Sequence, residues 1–298
     1  MRTNLLLKPK TAAEIDQRVE KLLKDLGNPK PPLNLSQVRE LLRVDLGFYS
    51  SSNDGWLGEK IHKMKVAGTQ IIEQPSLILT VVRRLNLKAL LLPDNRRILI
   101  DSDVPKAKHR WNESHEIIHD VLPWHEGMAH GDPEATLSPA CHDLVEAEAN
   151  YGAGRLLFLG REFDGMLRAS TCDFKLIQSL HAQYGNTMTT TLWRVVELSV
   201  DAAFGLVSAH PHKATGDIDA DVRYFIRSPR FEAEFSKAPP ASLFEAIKHR
   251  CRGRRGPIGE GAFQVIDDRG EGREFSFETF FNGHDALTFA RSKGHSRK

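Results

Sequence analysis

The stretch RWNESHEIIHDVLPWHEG, from Arg110 to Gly127, places three histidines and three glutamates in a segment that otherwise has the apolar spacing of a buried helix. Within it, HEIIH from His115 to His119 matches the pattern H-E-x-x-H. Residues four apart lie on nearly the same face of an α-helix, so both imidazoles can reach one metal ion. Glu116 then lies next to the first ligand, where a glutamate acts as a general base and not as a ligand.

The residues of this motif alone leave two interpretations open. A chance H-E-x-x-H is expected in roughly a few per cent of chains of this length, and His115 and His119 could instead be hydrogen-bonded core residues beside Trp111. A catalytic zinc takes three protein ligands and leaves one position for water, so two histidines do not complete a site. The metal interpretation therefore depends on a third ligand elsewhere in the chain.

The next helical segment, HDLVEAEANYGAGRLLFLG from His142, offers candidates for that ligand. Glu146 and Asn150 are four apart and share a face, whereas Glu148 lies about 200° around the helix from Glu146. Either glutamate could also be a solvated charge, since acidic residues are mostly exposed. Glu146 as the third ligand, with Asn150 as a supporting group, is the coherent site. An adjacent apolar stripe is predicted to dock this helix on the first: Ala140, Leu144, Ala147 and Tyr151.

The segments before and between these helices predict further helices and a hairpin. Helical spacing is found in residues 11–24 and again in residues 34–47, and the segments LKALLLP and RRILIDS predict a β-hairpin. The HExxH helix should end near Leu122, because the following proline disfavours helical geometry there. Proline in the first turn predicts a helix over residues 139–158.

The pattern changes towards the carboxyl terminus. Residues 174–198 predict two helices broken around Gly185, and segments such as VRYFIR, GAFQVID and REFSFETFF alternate like strands. We therefore predict an α+β fold with a soft boundary near residue 200. Residues 1–200 would form the domain that carries the motif, and residues 201–298 an α/β accessory region that senses a signal or binds a substrate.

The composition is that of an ordinary globular protein, with 298 residues, 40% hydrophobic residues and a net charge of +2. The run from Leu5 to Leu7 is too short for a signal-peptide core, and no apolar stretch approaches a membrane span. The three cysteines are few and widely spaced: Cys141, Cys172 and Cys251. They form neither a disulfide framework nor a CxxC site, which favours a reducing cytoplasm.

HEIIHDVLPWHEG, followed some 20 residues later by EAEANYGAGRLLFLG, resembles the ImmA/IrrE-type metallopeptidases, whose pattern is H-E-x-x-H and then E-x-E-A-N. The resemblance implies that His115, His119 and Glu146 bind zinc in a gluzincin-like minimal fold and that Glu116 is the catalytic base. It also implies proteolysis of a helix-turn-helix repressor in stress responses or mobile-element control. Gly152 and Gly154 depart from the family pattern, which predicts a looser or a more closely packed helix.

Other residues are candidates for polarising the scissile carbonyl, because peptide hydrolysis develops an oxyanion. They are His125, His130, Tyr151 and Tyr184, and the sequence does not choose among them. His125 is the best placed, although it could equally orient a ligand or lie in solvent. Histidine and carboxylate ligands suit zinc and are also compatible with Mn²⁺ or Fe²⁺.

Two features could suggest nucleic-acid binding. Residues 174–198 could be mistaken for a helix-turn-helix, but Lys175 and Arg194 are their only cations. The basic run from Lys248 to Gly256 favours a solvated loop over a nucleic-acid site. The sequence thus predicts a zinc metallo-endopeptidase with a protein substrate. The rivals are a metal-stabilised module that sequesters a repressor without cutting it, and a DNA-binding regulator with four arginines: Arg250, Arg252, Arg254 and Arg255.

Overall fold

The computed structural model describes residues 1–49, 89–92, 96–125 and 139–292. The chain divides into two compact units. We call residues 8–160 the motif unit, because they carry HEIIH. Residues 1–7 and 161–298 form the second body, which we call the sheet unit. Both units contain helices and strands, as the predicted α+β class requires.

The motif unit combines helices with a small sheet. Its helices are α1 (Pro9–Asp25), α2 (Leu35–Leu42), α3 (Lys106–Val121) and α4 (Pro139–Leu157). Its strands are β2 (Asp45–Tyr49), β3 (Ala89–Leu92) and β4 (Arg97–Asp101), in the order β2-β4-β3. The predicted hairpin is confirmed, since β3 runs antiparallel to β4, and β2 adds a parallel edge.

Helix α2 ends earlier than the sequence predicts. The helical interpretation extends to Gly47, but Arg43 adopts a left-handed conformation with φ 56° and stops the helix after Leu42. Residues from Asp45 onward then pair with β4, which lies about 50 positions away in the chain. Periodicity within one segment carries no information about such a distant pairing partner, so the pattern assigns this strand wrongly to the end of the helix.

Helices α3 and α4 pack closely through a face that differs from the predicted stripe. Leu144, a member of that stripe, is 43% exposed, whereas the positions that are fully buried include Ala149, Ala153 and Leu156. A Cβ at Gly152 would lie 2.6 Å from Cγ2 of Ile118 on α3. The glycine therefore permits a backbone approach that alanine would obstruct, which selects the closely packed alternative for this helix.

The sheet unit is built on six strands in the order β1-β6-β5-β9-β8-β7. They are β1 (Arg2–Thr3), β5 (Ala203–Ser208), β6 (Val222–Arg227), β7 (Gly256–Ile266), β8 (Gly272–Phe281) and β9 (Ala286–Ser292). All neighbouring pairs are antiparallel except β1 with β6. The described residues of this unit also form helices, which are α5 (Arg161–Ala169), α6 (Phe174–Tyr184), α7 (Met188–Glu197), α8 (Ile218–Asp221), α9 (Pro229–Glu234) and α10 (Pro240–Lys248).

The predicted boundary near residue 200 does not coincide with the division of the structure at residue 160. The helical hairpin α6–α7, broken at Gly185 as predicted, belongs to the sheet unit. Leu192 and Val196 on α7 lie so close to Gly205 of β5 that a Cβ on this glycine would be 3.5 and 3.2 Å from them. Burial of this apolar face against the sheet explains why the hairpin groups with the strands that follow it.

Phenylalanines dominate one core cluster of the sheet unit, among them Phe204, Phe231 and Phe275. Their rings meet at centroid distances of 5.3 to 5.9 Å, which is the range of favourable aromatic packing. In the part of the chain that the structure describes, none of the helices has the length and apolar content required to cross a bilayer.

Candidate metal centre

Helix α3 places the two motif histidines one turn apart. Nε2 of His115 lies 3.1 Å from Nε2 of His119, and the two rings meet edge to face with centroids 4.8 Å apart. Both side chains are largely buried, with 13% and 18% of their surface exposed. The helix ends at Val121, and the capping residue Leu122 is extended with ψ 101°, as expected for a residue before proline.

Helix α4 brings Glu146 to the same place. Its Oε2 lies 3.2 Å from Nε2 of His115, and its Oε1 lies 3.7 Å from Nε2 of His119. One ligand atom from each of these three residues lies within 4.8 Å of the others. Ligands about 2.0–2.2 Å from one tetrahedral ion are about 3.3–3.6 Å apart. His115, His119 and Glu146 thus form a group that could hold a metal ion.

Each of the two imidazoles has an outer partner at its Nδ1 atom. Nδ1 of His115 lies 3.1 Å from Oδ1 of Asn150, an acceptor, so Nδ1 carries a proton and donates it. Nε2 of His115 faces Glu146 and His119. Asn150 therefore lies where the sequence places it, one turn beyond Glu146, and contacts His115 from outside the group that could hold a metal ion.

His119 has a different outer partner. Its Nδ1 lies 2.9 Å from Nδ1 of His125, and Nε2 of His125 lies 3.0 Å from Oε2 of Glu148. Trp124 donates from Nε1 to the same oxygen at 2.6 Å. His125 and Glu148 are both buried, at 5% and 6% exposed. Among the roles left open for His125, these contacts favour orientation of a ligand.

Burial lowers the pKa of His125, although the hydrogen bond and the charge of Glu148 oppose that effect. The neutral form of His125 is therefore favoured, and in that form one ring nitrogen accepts while the other donates. Glu148 does not belong to the group that could hold a metal ion, as its position about 200° around the helix from Glu146 predicts. The sequence did not reveal that this glutamate is buried and hydrogen-bonded.

Glu116, the predicted base, is 8% exposed. Burial lowers the pKa of His115, but the hydrogen bond to Glu146 and the charges of Glu116 and Glu146 outweigh it and raise that pKa. Burial also raises the pKa of Tyr49, and the charges of Asp101, Glu116 and Asp103 add to the rise. Glu116 thus lies within electrostatic range of both His115 and Tyr49.

Sequence reasoning missed Tyr49 as a residue near the candidate base. It ends strand β2 and is 3% exposed. Its position became apparent only through the pairing of β2 with β4, since Tyr49 lies opposite Asp101 in that register. No local signal in the sequence could have placed this phenol near Glu116.

The remaining oxyanion candidates have other surroundings. The hydroxyl of Tyr151 donates to Oδ1 of Asp16 on α1 at 3.1 Å. The same oxygen forms an ion pair with Arg155, whose Nε lies 2.7 Å away. Tyr184 lies in the core of the sheet unit, fully buried, with its ring 5.3 Å from that of Phe163. His130 lies outside the described residues.

The arginines of the basic run from Lys248 to Gly256 are exposed. Among the described residues, Arg252, Arg254 and Arg255 are exposed and form no ion pair, and Arg250 donates to the carbonyl of Ala246. By contrast, Arg194 of the helical hairpin is 1% exposed and lies 3.3 Å from Glu197. A buried arginine cannot contact phosphates, so the helical hairpin lacks one of its two candidate cations.

Comparison with known proteins shows a similarity of fold to a solved structure. No protein-family model matches the chain, and no curated protein matches it. Among solved structures, a Mycobacterium tuberculosis transcriptional regulator matches with a TM-score of 0.56 and 12% sequence identity. The match covers 94% of this chain and 76% of that one. At this identity the likeness concerns the fold alone.

Proposed function

We propose that this protein is a zinc-dependent metallo-endopeptidase. The observation that carries the proposal is the convergence of Nε2 of His115, Nε2 of His119 and the carboxylate of Glu146. Asn150 and His125 contact the Nδ1 atoms of the two histidines, so both Nε2 atoms are left facing the space that Glu146 also faces. Two neutral imidazoles and one carboxylate suit zinc, and Mn²⁺ or Fe²⁺ are also compatible with them.

The chain's own residues then take distinct parts in hydrolysis. When bound, zinc polarises a carbonyl and lowers the pKa of water. Glu116 would accept the proton of the attacking water at its carboxylate and pass that proton to the leaving amide nitrogen. Its burial supports this role, because a site closed to bulk water protects the proton transfer from competing water. Asn150 and His125 would hold the two imidazoles in the required tautomer.

The substrate we propose is a helix-turn-helix repressor. This follows from the resemblance of HEIIHDVLPWHEG and EAEAN to the ImmA/IrrE-type metallopeptidases. Residues 201–298 would control access of that substrate, as an accessory region appended to the zinc motif. Cys172 and Cys251 both have free thiols, which is compatible with the proposed cytoplasmic location.

The test compares cleavage of two substrates. The zinc-loaded protein is incubated with the helix-turn-helix protein encoded next to it and, separately, with unfolded casein. Glu116→Gln and chelator-treated wild type serve as controls. One cut in the repressor that both controls lack supports the proposal. Degradation of casein with an intact repressor points to general proteolysis. Stable repressor binding without any cut favours the sequestering module.

A second candidate, a DNA-binding regulator, is favoured by one observation. Arg252, Arg254 and Arg255 are exposed and, within the described ranges, without ion pairs. Cations of this kind suit phosphate contacts, and the structural neighbour is named as a transcriptional regulator. Salt-dependent DNA binding that is lost when these three arginines become alanine would support this function. Arg230→Ala is the matched control, since Arg230 is exposed but paired with Glu234 at 3.0 Å.

A further inference from the structure

The two imidazoles of the candidate metal group are supported unequally. His115 donates to Asn150, a neutral and exposed side chain. His119 instead faces His125, and behind it lies the buried carboxylate of Glu148. Hydrogen bonds in a chain polarise one another, and the chain behind His119 ends on a carboxylate, so the two histidines are not equivalent.

One arrangement of protons satisfies both contacts behind His119, namely His119 with His125 and His125 with Glu148. If Nε2 of His119 presents a lone pair to a metal ion, its Nδ1 carries the proton and donates it to Nδ1 of His125 at 2.9 Å. Nε2 of His125 then carries a proton and donates it to Oε2 of Glu148 at 3.0 Å. Reversing this chain would put the proton of His119 on Nε2 and remove the lone pair that a metal requires.

Glu148 is itself held in place. Trp124 donates to Oε2 at 2.6 Å, and the guanidinium of Arg18 lies 5.1 Å from the centre of the Trp124 ring. Trp124 and His125 are the two residues after Pro123. The turn that follows α3 therefore places two hydrogen-bond donors at one carboxylate oxygen. A buried carboxylate is costly unless hydrogen-bonded, and these two bonds offset that cost.

We infer that Glu148 and His125 are positioning residues for His119, and that they set the tautomer in which it binds metal. The inference rests on the proposed metal site but not on peptide hydrolysis. Helix geometry alone gives Glu148 no part in metal binding, because Glu148 lies about 200° around the helix from Glu146; its hydrogen bond to His125 gives it one. Loss of such supporting hydrogen bonds typically costs 10–100-fold in metal affinity.

The experiment measures the Zn²⁺ affinity of the full chain by competition with a chelator. Glu148→Leu and His125→Phe remove the acceptor and the bridging nitrogens, and each should weaken binding by about 10–100-fold. Because Glu148 acts through His125, the double variant should bind no more weakly than His125→Phe alone. Asp143→Asn, an exposed carboxylate on the same helix, is the control and should leave the affinity unchanged.

A milder variant keeps the test informative if Glu148→Leu does not fold. Glu148→Gln retains an oxygen for Trp124 and His125 but removes the charge, so its affinity should lie between those of wild type and His125→Phe. The visible spectrum of the Co²⁺-loaded protein gives a second readout, because a reoriented His119 alters the ligand geometry. It should change in His125→Phe and stay as in wild type in Asp143→Asn.

The outcomes separate this inference from the proposed function. Wild-type affinity and spectrum in Glu148→Leu or Glu148→Gln would overturn it, even if the protein cleaves its substrate. Losses that multiply in the double variant would also overturn it, since Glu148 would then act independently of His125. The predicted pattern of affinities in a protein without peptidase activity would support the inference and overturn the peptidase.

Discussion

Two buried carboxylates, one in each compact unit, are held in different ways. In the sheet unit, the buried carboxylate of Asp221 accepts hydrogen bonds from Thr215 and Gly216, which are at most six residues away. In the motif unit, the buried Glu148 accepts from Trp124 and His125, which are more than 20 residues away. A local partner closes a turn, whereas distant partners hold two elements in one arrangement.

The same difference distinguishes the surroundings of the candidate metal group. The hydrogen bonds of Asp221 stabilise a loop, and Asp267 likewise accepts from the backbone of Arg269 and Glu271. Around His115 and His119, by contrast, the outer contacts at Nδ1 leave both Nε2 atoms facing a common space with Glu146. The group that could hold a metal ion is therefore in the motif unit.

The largest expected effect concerns Glu116. Glu116→Gln keeps the size of the side chain but cannot accept a proton from water. We expect hydrolysis to fall by about 10²–10⁴-fold, about 3–5 kcal/mol in activation free energy, with the zinc content unchanged. Glu113→Gln, the same change one turn earlier in a residue paired with Arg39, should keep the activity. Equal rates for Glu116→Gln and wild type would remove Glu116 from the mechanism.

A second prediction concerns the packing that brings Glu146 to the histidines. Gly152→Ala should destabilise the protein by about 1–3 kcal/mol, because the new methyl group collides with the stiff side chain of Ile118. Gly165→Ala should instead stabilise it by about 0.5–1 kcal/mol, since Gly165 lies in helix α5 with open space around its Cβ position. Calorimetric unfolding measures both. A stable Gly152→Ala protein would mean that α3 and α4 can move apart at little cost.

A third prediction tests the local hydrogen bonds of the sheet unit. Burial raises the pKa of Asp221, but hydrogen bonds from Thr215 and Gly216 outweigh it and hold that pKa below its usual value. Its contribution to stability is therefore present above the unfolded pKa of about 3.9. It is lost as the pH falls through the lower folded value. Asp221→Asn should flatten the fall in unfolding free energy in this acid range, and an unaltered pH profile would contradict the assignment.

The smallest effect is expected from the exposed cations. Replacing Arg252, Arg254 and Arg255 by alanine should change the stability by no more than about 0.5 kcal/mol per residue. None of them forms an ion pair within the described part of the chain, so no attractive contact is lost there. Thermal unfolding checks this, and zinc content should also be unaltered. A large loss of stability would show that the basic loop has a structural role.

The sequence predicts the candidate ligands well because their spacing is helical. A four-residue interval fixes which side chains share a face, so His115 with His119 and Glu146 with Asn150 follow from the motif itself. The same geometry shows that Glu146 and Glu148 cannot both face one metal ion, and the shared face with Asn150 favours Glu146. Helix α3 and the hairpin α6–α7 are predicted for the related reason that proline and glycine mark their ends.

What the sequence does not predict depends on contacts between distant segments. The strand Asp45–Tyr49 is defined by pairing with β4, and the docking face of α4 by the close approach at Gly152. The bond between His125 and Glu148 likewise joins a turn to a helix. The adjacent Trp124 and the second glutamate of EAEAN were visible in the sequence, but nothing local indicated that they meet.

The central claim is that His115, His119 and Glu146 bind one metal ion, and the direct test is the metal content of the purified protein. After loading with Zn²⁺ and removal of the excess, mass-spectrometric analysis should find about one zinc per wild-type chain. His119→Ala and Glu146→Ala should each lose most of it, while Asp143→Asn should retain it. A wild-type protein that holds no zinc, or a Glu146→Ala variant that holds as much as wild type, would contradict the account.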